Sequence, residues 1–172
     1  MRRVWIILAT SLALSPASGS AQDLEALLPA LSDERAEAVV SDLQGRMTLG
    51  DLDAQITLGR LYLNGIYYKK DMVRGCDLFE DTARAGSAEA AARLAVCFET
   101  GTGRERSVAQ AIEWYQTSID GGYALAKCLM GEAYTRGSLG PADAEQGVQL
   151  CLEAALDGVP SAQLTRHPLS HR

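Results

Sequence analysis

The chain has 172 residues, and its 22 acidic side chains outnumber its 16 lysines and arginines, which gives a formal net charge of −6 at pH 7. An acidic protein has no general electrostatic attraction to nucleic acid or to anionic lipid, so neither is expected as a partner. The length is sufficient for one domain with a hydrophobic core of its own.

Residues 1–21 have the pattern of a secretory signal peptide. Arg2 and Arg3 give a positive start, an apolar run follows over 4–14, and small residues lead to Ala21. We therefore expect cleavage after Ala21 and a periplasmic or secreted mature protein. An uncleaved anchor is the alternative, but the run is shorter than the ~20 apolar residues that span a bilayer. No later segment approaches that length, so no membrane span is expected in the mature chain.

Small residues then recur every 36 positions through the chain. This period is typical of a helical solenoid. Apolar residues at steps of four predict the first helix of each unit, and Asp71 stands where it can cap the second. The sequence predicts an all-α solenoid of about three 36-residue helix-turn-helix repeats over residues 50–162. The repeated positions are Gly50, Gly86, Gly122 and Gly158, and Ala54, Ala90, Ala126 and Ala162.

Glycine or alanine also recurs at one position in each helix, at 59, 95 and 131 in the first helices and at 75, 111 and 147 in the second. Glycine inside a helix costs about 1 kcal/mol relative to alanine. A close approach of the two helices would offset that cost, because bulky side chains would hold them apart. We therefore expect the helices of each hairpin to touch at these positions.

The flanks of the array are incomplete units. Residues 22–49 are predicted to form an N-terminal capping helical segment, with a helix between Ser32 and Met47. At the other end Ala162 opens a fourth unit that Pro168 interrupts, and 163–172 form a C-terminal tail. The last helix of the array would then be poorly covered, and self-association through this C-terminal end is a possible consequence.

Four cysteines lie within the array, and an even number in an exported protein favours disulfides. Opposed residues of an antiparallel hairpin have position numbers with a constant sum. By that rule Cys76 and Cys97 are centred on the turn between the first and second repeats, and Cys128 and Cys151 on the loop within the third. We predict these two bridges. Four reduced core cysteines, or another pairing, are the alternatives.

The middle repeat carries the clearest family resemblance. It contains an Ala-x-x-x-Leu pattern from Ala90, then Gly101-Thr102-Gly103, Ala111 and Trp114-Tyr115. This resembles the Sel-one-like repeat (SLR), a relative of the tetratricopeptide repeat, in an exported, cysteine-containing form. Leu78 and Leu150 replace the tryptophan in the outer units. The resemblance covers roughly residues 50–162 and implies protein scaffolding, and some exported relatives act as regulators of envelope signalling.

The sequence presents no evident catalytic, metal or cofactor site. The only histidines, His167 and His171, lie beside Pro168 near the end of the sequence. Cysteine-rich proteins resembling this family have been described as cell-wall or β-lactam hydrolases, but no Ser-x-x-Lys nucleophile is present here. A hydrolase therefore remains an alternative to our leading hypothesis, and a general envelope chaperone is a third.

We favour a periplasmic adaptor or regulator that binds a partner protein or peptide in a concave groove. In related helical-repeat proteins the first helices line that groove, and arginines there can bind carboxylates. Adjacent aromatic and cationic residues also suit a contact loop. An ordinary solvated face, and tyrosines that fold back on the hairpin, are the alternatives. The candidate partner-binding residues are Arg60, Asn64, Arg93, Glu99, Glu132, Arg136, Tyr67 and Tyr68.

Overall fold

The computed structural model describes residues 27–159. Within that range it has one short 3₁₀ turn, seven α-helices and no strand, which confirms the predicted all-α fold. The signal peptide, the tail from 163 and both histidines lie outside the described residues. The turn is Leu28–Ala30, and the helices are α1 (Asp33–Thr48), α2 (Leu52–Asn64), α3 (Met72–Arg84), α4 (Ala88–Thr100), α5 (Val108–Asp120), α6 (Leu125–Thr135) and α7 (Ala144–Leu156).

The helices form three consecutive hairpins, α2/α3, α4/α5 and α6/α7, and α1 packs on α2 at the N-terminal end. Each hairpin also contacts the next, through α3 with α4 and through α5 with α6. This is the stacking of neighbouring units that buries the core of a helical repeat protein.

The ends of the helices follow from the repeated polar and glycine positions. Asp71, Ser107 and Asp143 each accept a hydrogen bond from the backbone N–H three residues later, at the start of α3, α5 and α7. These caps satisfy N–H groups that have no partner within the helix. Gly65 and Gly101 end α2 and α4 in the left-handed conformation, with φ of 69° and 72°. The predicted capping role of Asp71 is therefore confirmed.

Glycines bring the two helices of the outer hairpins into close contact. A Cβ added to Gly75 would lie 2.8 Å from the carbonyl oxygen of Gly59. A Cβ on Gly131 would lie 2.5 Å from the carbonyl oxygen of Gly147. Any side chain there would separate the helices, so the predicted reason for these helical glycines is confirmed.

Two disulfides connect the helices as predicted. Cys76 in α3 joins Cys97 in α4, and their Cα atoms are 6.3 Å apart. Cys128 in α6 joins Cys151 in α7, with Cα atoms 4.0 Å apart. The first bridge therefore links two repeats, and the second closes the third repeat on itself.

The core has two parts. The larger includes Phe79, Leu94 and Tyr115 and extends from α2 to the loop after α6. The smaller includes Val40, Leu58 and Leu61 and joins α1 to the first hairpin. On α7, Leu150 packs against the larger part, but Leu152 and Leu156 remain outside both parts and are 55% and 87% exposed.

Candidate functional site

The candidate groove residues differ widely in exposure. Asn64 and Arg136 are exposed, and Arg93 is half-buried. Arg60 is only 9% exposed, and the two glutamates of the set, Glu99 and Glu132, are also buried. The acidic members therefore do not present their carboxylates openly to a partner.

Glu99 is the centre of a buried network that joins the second and third repeats. Its carboxylate accepts hydrogen bonds from the Tyr115 hydroxyl at 2.7 Å, from Nη2 of Arg136 at 2.6 Å and from the Ser138 hydroxyl at 2.5 Å. Arg106 donates to the backbone carbonyl of Glu99 at 2.9 Å and to that of Ser138 at 2.5 Å. Charge-assisted bonds of this kind are stronger than neutral ones. They fix the loop after α6 against α4.

The ionisation states in this network follow from its burial and its hydrogen bonds. Burial alone would raise the pKa of Glu99, but the bonds from Ser138, Arg136 and Tyr115 and the charge of Arg136 together hold that pKa below its usual value. Burial, with the Glu99 carboxylate beside it, raises the pKa of Tyr115, so its phenol remains a donor. Glu99 is 2% exposed and Tyr115 is fully buried, so no substrate reaches this pair directly.

A second cluster on the first helices includes a tyrosine that we did not predict. Arg93 pairs with Glu89 one turn earlier, at 3.0 Å through Nε and 2.5 Å through Nη2. Burial and the Glu89 carboxylate raise the pKa of the Tyr123 phenol, while Arg93 and Arg60 oppose that shift. Tyr123 occupies the repeat position at which Asp51 and Ser87 cap α2 and α4. The N-terminus of α6 has no side-chain cap. A tyrosine in place of the capping residue was therefore the feature of the sequence that could have identified Tyr123.

The two candidate loop tyrosines have different surroundings. Tyr68 stacks on Tyr62 with ring centroids 4.3 Å apart, and its hydroxyl accepts a hydrogen bond from Gln44 at 2.7 Å. Tyr67 meets Tyr68 edge to face at 5.0 Å but is 47% exposed. Its φ of 66° makes it the one non-glycine residue with positive φ among residues 27–159.

Tyr68 has a counterpart in the second repeat. Arg104 stands 36 residues later, and its guanidinium lies 4.8 Å from the ring centroid of Phe98, the counterpart of Tyr62. Arg104 donates to Glu80 at 2.7 Å, and Glu80 in turn is the counterpart of Gln44. In both repeats one loop side chain covers an aromatic ring and contacts the preceding unit. Tyr68 thus has a structural role. This agrees with the alternative given above, in which the tyrosine folds back on its own hairpin.

A cleft of about 520 Å³ lies between the N-terminal turn, the start of α1 and the loop after α2. Its wall is mainly apolar, and two carboxylates, those of Asp33 and Glu37, also line it. The lining residues are Leu28, Pro29, Leu31, Asp33, Ala36, Glu37, Gly65, Ile66 and Tyr67. Tyr67 therefore borders a concave surface, but none of the other candidate partner-binding residues lines it.

The described part of the chain gives no support to metal chemistry or to a thiol nucleophile. Between residues 27 and 159 no three His, Cys, Asp or Glu side chains are grouped so that they could hold a metal ion. All four cysteines are in disulfides. None of the helices in the same range is long and apolar enough to cross a membrane.

Comparison with known proteins identifies the repeat. A family model of the Sel1 repeat matches residues 52–87, 88–123 and 124–159, which reproduces the period of 36 found in the sequence. The matched segments contain the three hairpins α2/α3, α4/α5 and α6/α7. A comparison with curated proteins finds no match.

Two solved structures have the same kind of fold. A Sel1 repeat protein from Oxalobacter formigenes is 23% identical with a TM-score of 0.62, over 78% of this chain and 55% of that one. The protein c5321, a protective antigen present in uropathogenic Escherichia coli strains that displays an SLR fold, is 23% identical with a TM-score of 0.58, over 68% of this chain and 25% of that one. The chain thus spans about half and about a quarter of their lengths, and at this identity the likeness shows the fold alone.

The family model accounts for most of the chain, and the structure has the helical hairpins that such repeats form. The chain therefore belongs to the Sel1 repeat family, whose repeats generally act as non-enzymatic scaffolds for protein–protein interaction.

Proposed function

We propose that this protein is an interaction module of the cell envelope that binds a partner protein or peptide, as an adaptor or regulator. The two disulfides support an oxidising, extracytoplasmic compartment, because such bonds are rare in the cytosol. Export through the segment 1–21 is part of this proposal. A solenoid braced by disulfides loses little conformational freedom on binding, which favours affinity.

The observation that carries the proposal is the conformation of Tyr67. Its counterpart in the second repeat is Gly103, which has a φ of 68°, close to the 66° of Tyr67. A left-handed conformation costs a non-glycine residue roughly 1–2 kcal/mol, and glycine adopts it freely. The fold would therefore be served better by glycine at position 67. Strained residues cluster at binding and catalytic sites, so we assign Tyr67 a role in partner contact.

The surroundings of Tyr67 indicate the chemistry of the partner. The ring borders the cleft, and the loop continues into the exposed Lys69 and Lys70. An apolar side chain of the partner fits the apolar part of the cleft, and partner carboxylates can pair with the two lysines. Exposed tyrosines are frequent anchors in protein interfaces, since they bury a large area with few rotatable bonds.

The face formed by α2, α4 and α6 is the second proposed contact surface. Arg60 and Arg136 are poor choices for a charge test, because Arg60 is buried and Arg136 holds Glu99. Arg93 is the better choice, since its pair with Glu89 lies within one helix. Exchanging the two, as Glu89→Arg with Arg93→Glu, keeps an ion pair but reverses its direction. Weaker partner binding by this folded variant would support the surface, and unchanged binding would remove Arg93 from it.

Photo-crosslinking in the intact envelope tests the proposal. A photoreactive amino acid is placed at position 67 and, as a matched exposed control, at Gln116 on α5. We expect position 67 to give one dominant adduct with a single protein, identified by mass spectrometry, and Gln116 to give none. The same adducts from both positions, or none from position 67, would contradict a contact surface at the loop.

A further inference from the structure

Helix α7, the last one among residues 27–159, has an apolar ridge that its counterparts in the other repeats lack. Val148, Leu152 and Leu156 are spaced four residues apart on α7 and are 59%, 55% and 87% exposed. Residues at this spacing lie on one face of a helix. A contiguous exposed apolar face on a protein of this size marks an interaction surface.

The repeat register shows that this ridge is more than the uncovered end of an array. Val148 stands at the position of the buried Val40 and Cys76, which the next unit covers. Leu152 and Leu156 stand at positions that are polar in every other unit. The counterparts are Gln44 and Thr48 in α1, Glu80 and Arg84 in α3, and Gln116 and Asp120 in α5.

Those counterparts interact with each other at the surface. Arg84 donates to Glu80 at 2.7 Å, and Gln116 donates to Asp120 at 2.8 Å. The loop of the next unit also reaches the position of Leu152, since Tyr68 contacts Gln44 and Arg104 contacts Glu80. Stacking of a further repeat would therefore cover Val148 and contact Leu152 but leave the position of Leu156 open to water, as its three counterparts are exposed. Leu156 requires an occupant that reaches beyond the place of the next unit.

Residues 160–172 do not continue the repeat pattern that would cover α7. Arg166 stands where the three repeats have Leu58, Leu94 and Met130, and Pro168 follows two residues later. Proline in the interior of a helix removes a hydrogen bond and clashes with the preceding turn. The segment thus keeps Ala162 but has arginine at the next core position of the stripe, and Pro168 interrupts a fourth first helix before it is complete.

We propose that a second copy of the chain docks on this ridge, so that two α7 helices pack antiparallel about a two-fold axis near Leu152. The ridge is symmetric in sequence about Leu152, which places Val148 of each copy against Leu156 of the other. Such self-complementarity is what an isologous interface requires. Ridges of i±4 spacing interlock at a crossing angle of about −50°, the commonest packing of helices.

The charges of α7 are compatible with this pairing. Asp157 accepts from Lys127 at 2.6 Å, and Glu153 accepts from Gln149 at 3.1 Å. These two carboxylates therefore have partners within their own chain and do not select a cationic ligand for the ridge. The contact between two single helices is smaller than the ~800 Å² per partner of a standard interface, so we expect a weak, concentration-dependent dimer.

The first experiment measures mass against concentration for the full chain by sedimentation equilibrium, from roughly 10 µM to roughly 1 mM, where small interfaces dissociate. Wild type should pass from monomer to dimer. The variant Leu152→Gln with Leu156→Asp carries the residues of α5 at the same positions, so it should fold and remain monomeric. Val73→Gln, which removes a side chain that is 56% exposed on α3, is the matched control and should dimerise like wild type. A monomeric wild type, or a dimer that survives the double change, would overturn the proposal.

Cysteine crosslinking tests the register of the two helices. In the proposed dimer Val148→Cys faces Leu156→Cys of the other copy, so a mixture of the two single variants should form a disulfide-linked dimer. Each variant alone should not, because like positions would be displaced by about 12 Å along the helices, beyond the reach of a disulfide. Efficient self-linking of Val148→Cys would refute the antiparallel arrangement.

Discussion

Replacing Gly147 with alanine tests how closely α6 and α7 approach each other. The new Cβ would lie 2.5 Å from the carbonyl oxygen of Gly131 and would also collide with the Thr135 hydroxyl. Thr135 can rotate, but the carbonyl belongs to the backbone of α6. The disulfide from Cys128 to Cys151 joins the same two helices and hinders them from moving apart.

The expected magnitude combines two opposing effects. Overpacking of a site that cannot relax costs about 3 kcal/mol. Alanine recovers about 1 kcal/mol over glycine inside a helix. We therefore expect Gly147→Ala to lower the free energy of unfolding by about 2 kcal/mol.

Gly45→Ala is the matched control. Gly45 lies inside α1, and a Cβ there would meet no atom within 4 Å. This variant should gain about 1 kcal/mol from helix propensity alone. Urea denaturation followed by circular dichroism compares the two variants with wild type. If Gly147→Ala is as stable as Gly45→Ala, then α6 and α7 do not approach each other closely at this position.

Two further changes test the interior. Because hydrogen bonds hold the pKa of Glu99 below 4.5 despite its burial, its contribution to folding is present above that pH and is lost as the pH falls through the lower folded-state value. Glu99→Gln should therefore lower the free energy of unfolding by about 2 kcal/mol at pH 7 and make stability depend less on pH in the acid range. Urea denaturation midpoints measured against pH test both effects. An unchanged loss of stability in acid would show that Glu99 is not its source. Replacing Cys76 and Cys97 together by alanine should lower the free energy of unfolding by about 3 kcal/mol; a non-reducing peptide map of wild type with Cys97 joined to Cys128 would contradict the bridge itself.

The sequence predicted the parts of the fold that depend on local chemistry repeated in register. Asp71 and Gly65 act within one turn of their own positions, so their spacing alone identifies the ends of α2 and α3. The disulfides could be predicted for a related reason. In an antiparallel hairpin two residues lie opposite each other when they are equally far from the turn, and Cys76 and Cys97 meet that condition.

Burial of the candidate charged residues could not be predicted in the same way. The register indicates which side of a helix Glu99 occupies, but not which loop of a neighbouring unit covers that side. Ser138 and Arg106 approach Glu99 from two loops, and neither residue type is kept in all three repeats, since Ile66 and Ala142 are among their counterparts. The role of Tyr68 was equally obscure, because its counterpart Arg104 belongs to a different chemical class and only the structure shows that both cover an aromatic ring.

In our proposal, position 67 serves partner binding at the expense of the fold, and the variant Tyr67→Gly separates the two effects. With the crosslinked partner purified, the free energy of unfolding and the dissociation constant are measured for the same samples. We expect a fold that is up to about 1 kcal/mol more stable, because relief of the left-handed tyrosine is partly offset by the greater freedom of glycine in the unfolded chain, together with binding weakened about tenfold or more. Tyr67→Ala, which keeps the strain and removes the ring, should weaken binding without the gain in stability. Unchanged affinity in both variants would show that Tyr67 takes no part in partner binding.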